Sequence, residues 1–136
     1  RLQPGSYAPT RVSWGHNNRS VAIRVPASEA AARRLEHRIA GADANPYLVL
    51  AAVIGGMLEG IERGFRPPPP VDRSAYEAPA QPLPATMAEA IALFERSDFI
   101  RRTFGVEYRS LYAAVKRAEM AAFLEEITPL ERSTYL

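Results

Sequence analysis

Two short segments in the first third of the chain bring guanidinium groups and a carboxylate together at strand spacing. In Arg19-Ser-Val-Ala-Ile-Arg24-Val-Pro26, an extended backbone puts Val21, Ile23 and Val25 on one face. Arg24 then leaves the opposite face beside small Ser20 and Ala22, with room for a ligand next to it. In Arg34-Leu-Glu36-His-Arg38-Ile, the same geometry sends Arg34, Glu36 and Arg38 one way and Leu35, His37 and Ile39 the other. A guanidinium grips phosphate and carboxylate oxygens two at a time, whereas an ammonium acts as a point charge. In a cleft, such a trio suits phosphate chemistry: the carboxylate holds a divalent cation while the arginines neutralise oxygens. On open surface it is a salt-bridge ladder worth under about 1 kcal/mol per pair.

The charge distribution points the same way. Residues 1–42 hold seven arginines against Glu29 and Glu36, a local balance of +5, while residues 43–136 sum to −3. The basic excess is almost pure arginine, since Lys116 is the only lysine. An anionic ligand is therefore expected near the N-terminal third, although basic runs are also common on solvated surfaces. A nucleic-acid module is disfavoured, because few aromatics interleave with these arginines to stack bases. With no cysteine, disulfides and thiolate metal sites are excluded. The longest apolar run, Tyr47 to Leu58, is 12 residues, too short to span a bilayer. The opening Arg-Leu-Gln-Pro-Gly has neither an initiator Met nor a signal stretch, so the expectation is a cytoplasmic protein of which this is one piece.

The elements that must position these residues fall into three regions. Residues 1–42 carry Pro4, Pro9, Pro26 and short apolar–polar alternations, which favour strands and loops. For residues 28–38 local sequence leaves two options, a strand or a helix capped by Ser28. Residues 43–66 read as one helix, with Asn45 as N-cap, Pro46 at the first position and Gly64 as a left-handed stop. Its unbroken apolar run predicts burial on most sides. Residues 67–85 are proline-rich and read as an extended surface linker. Residues 86–136 read as a helical scaffold: a capping box at Thr86-x-x-Glu89, a short helix from Ser97 to Gly105, and a long helix over 106–126. That last helix carries Tyr108, Leu111, Tyr112, Val115, Ala118 and Ala122 on one stripe, and Thr128-Pro129 breaks it before a short tail. The fold class expected is α+β: a few short antiparallel strands in the N-terminal third, then four or five helices.

Ordered motifs add a family resemblance. Asn18-Arg19, a short alternating stretch and Arg24-x-Pro26 resemble a signature of glutamine synthetases, and Arg34-x-Glu36-x-Arg38 and Ala44-Asn-Pro-Tyr-Leu48 follow at the expected distances. Upstream, Arg1-Leu-Gln-Pro-Gly-Ser-Tyr-Ala-Pro9 is similar to the family's Arg-x-x-Pro-Gly-x-x-x-Pro. Tyr112, Lys116-Arg117-x-Glu119, Phe123, Thr128-Pro-x-Glu131 and Tyr135 fit as well. The resemblance covers essentially the whole chain, as the C-terminal part of a catalytic domain, and favours the strand for residues 34–38.

What the resemblance implies is an ATP-dependent ligase that phosphorylates the glutamate γ-carboxylate and lets an amine attack the acyl phosphate. Arg1 and Arg38 resemble arginines that hold glutamate and the transferring phosphoryl group. Arg19, Arg24 and Arg34 resemble those on the nucleotide phosphates, Arg24 and Arg38 being the catalytic pair. Glu36 resembles a carboxylate ligand of Mg2+ or Mn2+. The further carboxylates and histidine of such a metal centre belong to segments absent from this chain, so the fragment alone is expected to be inactive. The run His37-Arg-Ile-Ala-Gly-Ala-Asp-Ala-Asn-Pro-Tyr resembles the γ-glutamylpolyamine synthetase branch, so putrescine or a similar amine is preferred over ammonia. A ring-shaped homo-oligomer of the parent is implied, with no nucleic-acid or membrane partner. The non-enzyme alternatives are a catalytically silent paralogue and a polyanion-binding module. Tyr76 lies where some bacterial members carry a nucleotidylated tyrosine, but Ser74-Ala-Tyr-Glu77 is a loose match and reads as an ordinary loop. His16 and His37 receive no role.

Overall fold

Val21 and Pro9 are fully buried, and the N-terminal elements assemble around them. In the computed structural model, which describes residues 2–135, the chain divides into one unit ending at Ala85 and a second beginning at Thr86. The first unit carries three very short strands, β1 (Trp14–His16), β2 (Ile23–Val25) and β3 (Glu36–His37), in sheet order β1-β2-β3. β2 and β3 pair antiparallel, as expected, with Arg24 opposite Glu36. β1 and β2 run parallel instead, with Gly15 opposite Arg24. Parallel strands ordinarily need a long crossover. Here each strand is three residues, so the chain has little distance to retrace, and a tight turn suffices. Asn17 opens it at φ +54°, and Asn18 Oδ1 accepts from Ser20 N at 2.9 Å and Ser20 Oγ at 2.7 Å.

The proline-rich stretch is not a free linker. Proline cannot donate a backbone hydrogen bond, but its carbonyl accepts, and its fixed φ keeps the chain extended. Trp14 Nε1 donates to Pro68 O at 2.7 Å, Val71 N to Trp14 O at 2.8 Å, Val12 N to Gln81 O at 2.8 Å and Leu83 N to Thr10 O at 2.9 Å. Arg11 ties the same strap from its side chain, donating to Tyr76 O at 2.8 Å and Ala80 O at 2.9 Å. Ala75 and Ala78 are consequently buried. The strap crosses β1 so closely that a Cβ on Gly15 would stand 2.3 Å from Val71 O.

Helix α1 (Pro46–Glu62) closes on its expected caps. Asn45 Oδ1 accepts from Tyr47 N and Leu48 N at 3.0 and 3.3 Å, and Gly64 turns the chain out at φ +62°. Its burial differs from expectation: no residue of α1 is buried. Tyr47 is 81% exposed and Ile61 76%, because among the described residues no other helix or strand packs extensively on α1. Among the described residues no helix is long and apolar enough to cross a membrane.

The second unit holds α2 (Met87–Arg96), α3 (Asp98–Phe104), α4 (Val106–Glu125) and α5 (Pro129–Tyr135). The Thr86–Glu89 capping box and the Ser97 cap form as expected. α2 and α3 pack on α4 through Ile91, Ala113 and a run of rings, with Phe104–Tyr108, Tyr108–Tyr112 and Phe94–Tyr112 centroids 5.2–5.6 Å apart. The expected stripe on α4 is therefore shifted: Tyr108, Tyr112 and Ala113 face in, while Leu111 is 67% exposed. The tail after Pro129 is helical, because Thr128 and Glu131 form a second capping box.

Candidate active site

Cross-strand pairing sets the first contact of the site. Arg24 and Glu36 are register partners, so their side chains leave neighbouring strands side by side. Arg24 Nη1 donates to Glu36 Oε2 at 2.8 Å, and Arg38 Nη1 donates to Glu36 Oε1 at 2.5 Å. Arg38 N also donates to Ala22 O at 2.9 Å, which fixes the backbone from which its side chain leaves. The second arm of each fork is held as well: Arg24 Nη2 donates to Asn17 Oδ1 at 2.9 Å, and Arg38 Nη2 to Tyr7 O at 2.8 Å. Both acceptors sit on residues with positive φ, Asn17 at +54° and Tyr7 at +56°. Such backbone costs energy in non-glycine residues and clusters where geometry serves function.

The two arginine side chains are mostly covered, 19% and 17% exposed, whereas Glu36 keeps 37% of its surface open. Arg24 Nε and Arg38 Nε are buried with no hydrogen-bond partner among the described residues. The hydrogen bond from Arg24 lowers the Glu36 pKa most strongly; desolvation opposes it, and the Arg38 hydrogen bond and both positive charges add to the lowering. Glu36 is thus ionised at neutral pH. Partial desolvation lowers the pKa of His37, although its side chain reaches solvent.

Three of the sequence-predicted residues, Arg24, Glu36 and Arg38, therefore meet. Arg34 does not join them: it is exposed and its Nη1 donates to Ala32 O at 3.1 Å, within its own segment. The chain enters β3 only at Glu36, so the alternation predicted from residue 34 has no sheet to enforce it. A short 3-10 turn, Ala30–Ala32, occupies part of the stretch that local sequence left open to helix. Arg19 is exposed on a polar cleft of about 630 Å³ whose rim also includes Tyr7 and Asn17, the two acceptors of the cluster. Arg1 lies outside the described residues. The space expected beside Arg24 is filled: Ser20 and Ala22 are buried, and Ser20 Oγ accepts from Ala75 N of the strap at 2.9 Å. Tyr76 belongs to a 3-10 turn and its hydroxyl is buried, so this loop does not present it to solvent.

Sequence reasoning missed Asn17, Tyr7 and Arg73, the last also lining the cleft. For Asn17 there was a signal: asparagine tolerates the left-handed region, and it immediately precedes the Asn18-Arg19 motif. A metal would find one carboxylate here. Each Glu36 oxygen accepts one guanidinium bond and retains acceptor capacity. Among the described residues no three His, Cys, Asp or Glu side chains group to hold an ion. Glu36 fits as one member of a shared ligand set, and these residues do not make a complete centre.

The family model described as glutamine synthetase, catalytic domain, matches residues 1–135. Gamma-glutamylputrescine synthetase PuuA of Escherichia coli (strain K12) is 41% identical over 131 residues, covering 96% of this chain and 28% of that protein. Gamma-glutamylethanolamide synthetase GlnA4 of Streptomyces coelicolor is 40% identical over the same span and coverage. Glutamine synthetase of Methanocaldococcus jannaschii is 33% identical over 144 residues, covering 100% of this chain and 32% of that protein. Among solved structures, a GmaS/ADP complex superposes with a TM-score of 0.79 at 30% identity, over 95% of this chain and 30% of that one. The chain thus spans about three tenths of the length of these relatives.

Proposed function

The chain belongs to the glutamine synthetase family, and from that premise we propose that it supplies the arginine-lined wall of an ATP-dependent ligase site that joins glutamate to an amine. The observation that carries this reading is the Glu36 carboxylate clasped between Arg24 and Arg38. In the reaction, the γ-carboxylate oxygen of glutamate takes the γ-phosphoryl group of ATP, and ADP leaves. The amine nitrogen then attacks the acyl carbon, a proton is lost from nitrogen, and inorganic phosphate departs as the amide forms. Phosphoryl transfer is mainly positioning and charge neutralisation, and these residues are built for both.

In this reading Arg24 serves the nucleotide phosphates, and Arg38 the transferring phosphoryl group and glutamate, each with N–H groups beyond those bonded to Glu36. Arg19 reaches phosphate oxygens from the cleft, and Arg1 completes the glutamate contacts. Arg34 can serve the phosphates only by leaving its bond to Ala32 O. Glu36 orients both arginines and would be one ligand of Mg2+ or Mn2+, which would supply charge neutralisation when bound. The remaining ligands and the nucleotide-base pocket come from outside this chain, so the parent enzyme, a cytoplasmic ring-shaped homo-oligomer, is the active species.

A polyamine such as putrescine is the preferred amine. This chain is 41% and 40% identical to two relatives named for γ-glutamyl amide products, against 33% for the archaeal glutamine synthetase. Ammonia is the alternative. The full-length protein, assayed for ATP-dependent ADP release with glutamate plus putrescine, ethanolamine or ammonia, decides between them. Amide formation with putrescine above ammonia is the expected result; no amide with any amine would overturn the reading.

A further inference from the structure

The polar cleft has a second wall, residues 71–75 of the strap, held in place by the 18–20 turn. Asn18 Nδ2 donates to Val71 O at 3.0 Å and to Arg73 O at 2.7 Å, and Ser20 Oγ accepts from Ala75 N at 2.9 Å. With Asn18 Oδ1 occupied by Ser20, this asparagine is fully used as a staple between the wall and the residue next to Arg19. The wall thereby places Arg73 on the same cleft as Arg19. Neither guanidinium has a hydrogen-bond or ion-pair partner among the described residues. Asp72 lines the cleft too and pairs with neither, so the two arginines and this carboxylate leave one net positive charge. The adjoining Arg24–Glu36–Arg38 cluster adds another.

Both side chains are exposed, so their guanidiniums are free to turn toward a ligand in the cleft. Two unpaired forks on one cleft, carried on backbones stapled together, can close on one anion. A carboxylate can also accept from two forks, as Glu36 does, but it brings a single negative charge. A phosphoryl group presents three oxygens arranged tetrahedrally and can accept from two forks at once. We propose that Arg73 joins Arg19 in an oxyanion subsite of this cleft, which takes a phosphoryl group of a nucleotide or of free polyphosphate. The inference rests on the ligase reading for its ligand, since that reading brings a nucleotide phosphate to Arg19.

Titration calorimetry of this chain at low ionic strength, with sodium triphosphate, ATP and glutamate in separate arms, tests it. Triphosphate is expected to bind, and Arg19→Gln and Arg73→Gln each to weaken it about tenfold, as loss of one charge-assisted contact does. Arg73→Lys should keep the charge and lose part of the affinity, and it guards against a folding defect in the glutamine variant. Arg132→Gln, at an exposed arginine of the second unit, should change little. ATP binding tighter than triphosphate identifies the nucleotide as the source; equal binding identifies the phosphoryl group alone, and both uphold the subsite. Failure of triphosphate to bind, wild-type affinity in Arg73→Gln, glutamate binding as tightly as triphosphate, or an equal loss in Arg132→Gln each overturns it. In the full-length enzyme, Arg73→Gln should raise KM for ATP with kcat retained. Unchanged ATP kinetics alongside normal amide formation sink the subsite alone. Absent amide formation with Arg73-dependent triphosphate binding sinks the ligase reading alone.

Discussion

Glu36 sits between two positive charges that would repel each other without it, and this sets what its removal does. Glu36→Gln keeps the shape, replaces an anionic acceptor by a neutral amide, and leaves Arg24 and Arg38 facing each other with less compensation. In the full-length enzyme Glu36→Gln and Arg24→Ala should each lower kcat by about 10²–10³, the usual cost of losing one fixed charge at a phosphoryl-transfer site; wild-type turnover in either variant would contradict the proposed roles. The pH dependence follows from the direction of the Glu36 shift. Its folded pKa lies below its unfolded value, so its contribution to stability is complete above the ordinary carboxylate range and is lost as pH falls through the depressed folded pKa. Thermal midpoints of wild type and Glu36→Gln, measured from pH 7 down to pH 3, should therefore converge on acidification. A constant gap would show that the pair does not titrate as described. Because 37% of Glu36 is exposed, solvent screens the pair and the gap should be modest.

Among elements, the close crossing of the strap over β1 makes the sharpest prediction. A methyl at position 15 would stand 2.3 Å from Val71 O, a backbone atom itself bonded to Asn18 Nδ2, so relief requires moving the strap. Gly15→Ala should destabilise the first unit by about 1–3 kcal/mol, read as a lower urea midpoint followed through Trp14. Thr86→Ala removes an acceptor from Glu89 N and should cost the second unit about 1 kcal/mol, visible by circular dichroism at 222 nm. The contrast between these sites explains what was legible in the sequence. Asn45, Gly64, Thr86 and Ser97 could be read as helix ends because a cap is decided within four residues. Arg24, Glu36 and Arg38 could be picked out because one strand pairing brings them together. The docking of residues 67–85 and the place of Arg73 depend on partners more than fifty residues away, such as Trp14 with Pro68 and Asn18 with Arg73. The parallel β1–β2 pair turns on the conformation of a tight turn that alternation does not encode. Arg34 misled for a related reason: alternation predicts a face only where a sheet exists to impose it.

For the whole molecule, α1 is the feature that does not close on itself. Leu50, Ile54, Met57, Leu58 and Ile61 are each more than half exposed, along a helix whose apolar run was expected to be covered. Fully burying one such side chain is worth about 1.5–3 kcal/mol, so a helix of this composition in water is a strong drive to associate. The relatives are about three times as long as this chain, and additional residues of that kind would cover the helix in a full-length protein. The chain alone is accordingly expected to self-associate with rising concentration. Ile54→Glu together with Ile61→Glu should return it to a monomer in sedimentation velocity, without altering the helical signal of the second unit. In the full-length protein the same pair should do the reverse and destroy folding or assembly, because there the charges would be buried without partners. If the double variant of this chain still associated, or the full-length double variant assembled and turned over normally, α1 would be a surface helix in its own right rather than the core element its sequence describes.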